Sequence, residues 1–255
     1  MASGPVRVSA HASHSAGAPS RTIGTYRDAV ATGADYVELD IRSTADGELV
    51  AFHDPATSQG HPLSALGYPR LCDLAGYEVP KVADVLAVIK GGAKAHLDLK
   101  EAGGEQRLVQ LALAALGPGE FIITSLEDAS VAAIRSRFPD AEEVPVALSL
   151  GRGQKDAARL GWWRTRASEL RPGARLRACG ADWCAVDHRL ALAGGVAGRC
   201  RRRHLKVMVW TVNSEYEIRY WLRRGIDVLV TDRPALAVAL RDQSGGRRVS
   251  AARWR

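Results

Sequence analysis

Three observations predict an α/β fold, a single (β/α)8 TIM barrel with a short extra strand after the second barrel strand. Short β-rich runs alternate with helical patterns along the whole 255-residue chain, the order that parallel strands with crossover helices require. Eight of the runs read as principal strands, with 49–53 as the extra one. No G-x-G-x-x-G follows the first strand, where an open doubly wound sheet would carry its nucleotide turn. The length fits, because α/β barrels of about 250 residues form one domain.

The first strand is 6–11 (VRVSAH), followed by a helix near 20–32 that stops at Gly33. The second is 36–42 (YVELDIR), and the extra strand is LVAFH at 49–53. A helix over 80–91 opens on Pro80, where a missing N–H costs nothing. The third strand, 94–100 (KAHLDLK), precedes a helix at 104–116; strand 120–125 precedes one at 127–137. Strand 144–150 leads to a helix within 153–178, and strand 182–187 to one at 190–204. Strand 206–212 leads to a helix at 214–224 closed by Gly225, a left-handed cap. The last strand is 228–231, with a helix over 234–241 opened by Pro234. Residues 1–241 are thus the barrel domain. Residues 242–255 (DQSGGRRVSAARWR) are expected to form a basic tail without fixed structure.

Apolar residues make up 46% of the chain and charged residues 25%, which suits a soluble globular protein and excludes wholesale disorder. No apolar run is long enough to cross a membrane, and the N-terminus lacks a secretory h-region, so a cytoplasmic location is expected. The four cysteines form no C-x-x-C pair and are read as buried thiols. The net charge of +7 is uneven. Residues 1–127 hold 10 Lys/Arg against 15 Asp/Glu, and residues 128–255 hold 25 against 13. A basic half attracts anions. The run RCRRRH at 199–204 falls on a helix and no nucleic-acid module is recognisable, so no nucleic-acid partner is expected. The Arg-rich tail with Trp254 is compatible with weak contact to an anionic membrane surface, although it lacks an amphipathic pattern.

The chemistry shows as period-two polarity inside strands that otherwise read as core. In KAHLDLK, Lys94, His96, Asp98 and Lys100 share one face while Leu97 and Leu99 share the other. In YVELDI, Glu38 and Asp40 share a face opposite Val37, Leu39 and Ile41. The helix-covered outside of a parallel barrel is apolar, so these charges point inward. Glu38, Asp40 and Asp98 fall near the carboxyl ends of their strands, where barrel active sites sit. Buried carboxylates are costly unless paired or bound to metal. One account is an internal salt-bridge network with Lys94, Lys100 and Arg42. Repetition on two strands favours the other, an all-oxygen site for one divalent cation, Mg²⁺ or Ca²⁺. His11 and His53 end their strands and form a natural acid/base pair near neutral pH. His96, one layer below Asp98, is read as a support; His14, His61, His188 and His204 as surface or capping residues.

The chain resembles the glycerophosphodiester phosphodiesterases over nearly its whole length. The resemblance rests on AH at 10–11, GADYVELDIRSTADGELVAFHDP at 33–55, VPKVADVL at 79–86, LDLK at 97–100, WTVN at 210–213 and GIDVLVTDRP at 225–234. It implies a TIM barrel that hydrolyses glycerophosphodiesters to an alcohol and glycerol 3-phosphate. It implies His11 and His53 as the catalytic pair, and Glu38, Asp40 and Asp98 as metal ligands. Lys100 then contacts the phosphate, Trp210 lines the substrate pocket, and Asn213 closes the same motif as a helix N-cap. Two motifs depart from the family. Its His-Arg-Gly is here His11-Ala12-Ser13, and its Pro-Glu-Asn-Thr is Pro19-Ser20-Arg21-Thr22. The first change removes a phosphate-binding guanidinium, for which Arg21, His14 and Arg42 are candidate replacements. The third strand also resembles the sphingomyelinase D-type lipid phosphodiesterases, though the FHDP, WTVN and TDRP motifs fit the glycerophosphodiesterase branch better. The altered motifs also admit a non-catalytic, phosphate-binding relative. The substrate class is a small-molecule or lipid-derived phosphodiester.

Overall fold

The structure is a computed structural model that describes residues 4–11, 22–151 and 167–251. Its strands are β1 (Arg7–His11), β2 (Tyr36–Ser43), β3 (Leu49–Ala51), β4 (Lys94–Leu99), β5 (Phe121–Ser125), β6 (Val146–Leu150), β7 (Trp183–Asp187), β8 (Lys206–Trp210) and β9 (Val228–Thr231). Eight of them are parallel neighbours in the cyclic order β1, β2, β4, β5, β6, β7, β8, β9, and β9 pairs back to β1. The barrel is closed, a TIM barrel as expected. The extra strand β3 lies outside it. β1 takes the edge of β2 at Tyr36 to Glu38, and β3 takes the same edge further along, antiparallel, at Ile41 to Ser43.

Alternation along each strand sorts the residues onto two faces. Val37, Leu39, Ile41, Ala95, Leu97 and Leu99 point outward into the main core beneath the helices. The helices are α1 (Ile23–Ala31), α2 (Tyr68–Ala75), α3 (Val82–Ile89), α4 (Glu105–Ala115), α5 (Asp128–Arg137), α6 (Gly173–Cys179), α7 (His188–Gly194), α8 (Val196–Arg201), α9 (Glu215–Trp221) and α10 (Pro234–Ala251), and all but α2 contribute to that core. The other face of the strands builds a second apolar cluster inside the barrel, from Tyr36, Ile122, Ala147, Trp183, Ala185, Met208, Val228 and Val230. The Arg7 guanidinium lies 5.4 Å from the Tyr36 ring and 5.5 Å from the Trp183 ring, a cation–π sandwich that plugs the amino-terminal end.

Several expectations are corrected. The segment 52–79 contains α2, which docks Leu71 with Leu63, Val50 and Val79 into a small separate core. The helix expected at 190–204 is two, α7 and α8, because Gly195 between them is left-handed at φ +57°. Residues 242–251, expected to lack fixed structure, continue α10. Extending a helix already packed over 234–241 is far easier than nucleating one. Much of the helix expected within 153–178, the altered motif residues Ala12 to Arg21, and residues 252–255 lie outside the described residues. Among the described residues no helix is long and apolar enough to cross a membrane, and all four cysteines are free.

Candidate active site at the carboxyl ends of the strands

Strand register assembles the acidic cluster. Asp40 on β2 stands beside Asp98 on β4, which stands beside Thr124 on β5. Glu38 is one inward step before Asp40 and stands beside His11 at the end of β1. Carboxylate oxygens of Glu38, Asp40 and Asp98 come within 4.8 Å of one another. Glu38 and Asp40 are buried, at 2% and 1% exposure. Three converging oxygen donors with no thiolate suit a hard divalent cation. The salt-bridge account is met at one lysine: Lys100 Nζ ion-pairs with Asp40 Oδ1 at 2.6 Å and with Asp98 Oδ2. These carboxylates hold its ammonium well above the ordinary lysine range, against the opposing effect of burial. Lys94 belongs elsewhere. At the other end of β4 it bonds the Gly119 carbonyl and Glu120.

His11 is oriented by a residue that sequence reasoning missed. Its Nδ1 lies 2.6 Å from Asp232 Oδ1, just beyond β9. Its Nε2 faces Glu38 at 4.0 Å. Burial depresses the His11 imidazolium, but Glu38, Asp232 and Asp40 together outweigh it and the net shift is upward. Asn213, expected as a helix cap, instead secures Asp232. Its Nδ2 donates to Asp232 Oδ2, and its Oδ1 accepts from the Asp232 N–H at 2.9 Å. The cap of α9 is the next residue, Ser214, whose Oγ accepts from the Glu217 N–H. The presence of Asp232 in TDRP was the available sequence signal.

His53 stands two residues past β3, exposed at the mouth. Its Nδ1 lies 2.8 Å from Asp54 Oδ1, which repeats the His11–Asp232 arrangement with a neighbour in sequence. Arg42 ties this segment to the barrel. Its Nε donates to the His53 carbonyl at 2.9 Å, and its Nη1 to Glu101 at 3.0 Å. Those bonds make Arg42 a brace for His53, in place of the phosphate anchor that sequence had offered it as. Trp210, at the end of β8, lies four strands from β4 in either direction, so it faces the carboxylates across the barrel. Gly151 at φ +127° lets it sit there, since a Cβ would come within 2.6 Å of Asp187 Cβ and 3.2 Å of the Trp210 ring.

A buried chain of polar side chains leads to the carboxylates. Ser9 Oγ is 3.1 Å from His96 Nδ1, and His96 Nε2 is 3.1 Å from Thr124 Oγ1. Thr124 Oγ1 donates to Asp98 Oδ1 at 2.6 Å. Burial lowers the His96 pKa to about 4, so its ring is neutral at physiological pH.

Known proteins resemble this chain in sequence and in fold. The glycerophosphoryl diester phosphodiesterase family model matches residues 11–236. A curated relative, the glycerophosphodiester phosphodiesterase of Caldanaerobacter subterraneus subsp. tengcongensis, is 22% identical, aligned over 93% of this chain and 98% of its own. Among solved structures, a glycerophosphodiester phosphodiesterase from Parabacteroides distasonis superposes with a TM-score of 0.75 at 18% identity, covering 94% of this chain and 98% of that one. An Oleispira antarctica phosphodiesterase, solved with the product sn-glycerol-3-phosphate, superposes at 0.67 with 19% identity, covering 93% and 97%. Since the family model spans most of the barrel, from the first strand to the start of the last helix, the chain belongs to the glycerophosphoryl diester phosphodiesterase family, a family of phosphoric diester hydrolases.

Proposed function

We propose that the protein hydrolyses glycerophosphodiesters to an alcohol and glycerol 3-phosphate. One divalent cation, Mg²⁺ or Ca²⁺, is held by Glu38, Asp40 and Asp98, and His11 and His53 share the proton transfers. The observation that carries this reading is the 2.6 Å His11–Asp232 bond beside the carboxylate cluster. It commits Nδ1 to Asp232 and leaves Nε2 pointing into the site. The product bound to the Oleispira relative supports the substrate class. Held by these three carboxylates, a cation would supply charge that neutralises phosphoryl oxygens.

The remaining work falls to the chain's own side chains. One histidine accepts the proton of the nucleophile, which is water or a neighbouring hydroxyl of the substrate. The other returns a proton to the departing alcohol oxygen. Each is anchored through Nδ1 by a carboxylate, so each offers Nε2 for exchange. Lys100 adds positive charge where negative charge accumulates on the phosphoryl group. Trp210, across the mouth, gives an apolar wall for the glycerol or alcohol moiety. The test is turnover of glycerophosphocholine followed by ³¹P NMR with Mg²⁺ or Ca²⁺ supplied. Chelation, His11→Ala and His53→Ala are each expected to abolish product. Full activity in both histidine variants overturns the scheme.

A further inference from the structure

The polar chain from Ser9 to Asp98 has a direction that its chemistry fixes. A carboxylate only accepts, so the Thr124 hydroxyl spends its single hydrogen on Asp98 Oδ1. The contact between Thr124 Oγ1 and His96 Nε2 therefore has the imidazole as donor, whatever its protonation state. In the neutral ring Nδ1 is then the acceptor, and it takes the Ser9 hydroxyl hydrogen. The chain runs one way: Ser9 O–H to His96, His96 Nε2–H to Thr124, Thr124 O–H to Asp98. Ser9, His96 and Thr124 are 0%, 5% and 1% exposed, so water does not compete for these bonds.

This chain ends on one oxygen of a cluster carboxylate. Asp98 Oδ1 is occupied by Thr124, and Oδ2 is the oxygen presented to Lys100 at the cluster. Calcium sites commonly use bidentate carboxylates, whereas Mg²⁺ takes six ligands in near-octahedral order with carboxylates bound through one oxygen. We propose that Thr124, set by His96 and Ser9, is a positioning residue that confines Asp98 to one ligating oxygen and so biases the site toward Mg²⁺ over Ca²⁺. The inference rests on the cation reading above and deepens it.

The experiment is calorimetric titration of the chelator-stripped full chain with MgCl₂ and, separately, CaCl₂. The chains compared are wild type, Thr124→Val, Thr124→Ser and His96→Leu. Thr124→Val keeps the side-chain shape, lacks the hydroxyl and releases Oδ1. Its Mg²⁺ affinity is expected to fall by about 10- to 100-fold, the usual effect of removing a partner of a metal ligand. Its Ca²⁺ affinity falls less, so the Mg²⁺/Ca²⁺ preference shifts toward Ca²⁺. Thr124→Ser restores the wild-type ratio. His96→Leu, which leaves Thr124 without its donor, shifts the ratio in the same direction as Thr124→Val and carries the test alone if that variant does not fold. Wild-type affinities and ratio in Thr124→Val and His96→Leu overturn the proposal while leaving the cation site intact. A wild-type chain that takes up neither ion overturns the cation reading, and this inference with it.

Discussion

His11 and Asp232 lie 221 positions apart in sequence and share a 2.6 Å hydrogen bond across the seam where β1 meets β9. Closing the barrel is what makes this pair. Replacing Asp232 by Asn keeps the shape but gives His11 an amide that can accept its Nδ1 proton only weakly. The expected result is a fall in kcat of about 10²-fold or more with a small change in KM, since the loss is in proton transfer and ring orientation. Steady-state kinetics on an aryl phosphodiester measure it, with circular dichroism confirming the fold.

Lys100 is the counter-charge of the acidic cluster, paired with Asp40 and Asp98. Lys100→Met leaves those carboxylates without it. Breaking such a buried pairing costs about 3 kcal/mol. Thermal unfolding in chelator is expected at a markedly lower temperature than wild type, with a larger recovery on adding Mg²⁺. Equal melting of the two chains in chelator contradicts this account.

The Arg42 brace predicts a separable effect. Arg42→Met frees the His53 carbonyl and leaves Glu101 without its 3.0 Å partner. Hydrolysis is expected to slow by about tenfold through misplacement of His53, while cation affinity stays at the wild-type value because neither group touches the carboxylate cluster. Calorimetry and kinetics on one preparation separate the two outcomes.

His96 makes metal-free stability depend on pH. Its folded pKa, about 4, lies below the ordinary value of 6.5. Between those values the unfolded chain takes up a proton that the folded chain refuses. Stability from this group is therefore complete above pH 6.5, declines as the pH falls toward 4, and changes no further below that. The full loss is roughly 3 kcal/mol. Urea unfolding in chelator at pH 7 and pH 4.5 shows it as the difference between wild type and His96→Leu, which narrows at the lower pH.

Much of this site was legible because a barrel strand separates its faces residue by residue. Polar residues at every second position of YVELDI and KAHLDLK, against aliphatic residues between them, place Glu38, Asp40, His96 and Asp98 inside from sequence alone. The same alternation reads in FIITS, where Thr124 is the polar residue on the face of Ile122. A lone threonine carries no charge that a buried position would have to explain. The Asp232 and Asn213 contacts depend on how β8 and β9 meet β1, which no local pattern reports. Lys94 shared the face of Asp98 but not its end of the strand, and period two alone carries no sense of depth. Helix α2 was missed because Gly67 and Pro69 at its start look like turn residues, although a proline in the first turn is favourable.

Strand β3 pairs with β2 at three positions, on the stretch of the β2 edge that β1 leaves open. One of the two proposed catalytic histidines therefore hangs from an appendage, and the other is built into a stave. The appendage has its own small core around Leu63 and Leu71, separate from the barrel's. The barrel is a chassis on which the His53 segment is a replaceable fitting. Exchange of residues 54–79 between relatives should retune which alcohol leaves, while the chassis folds as before.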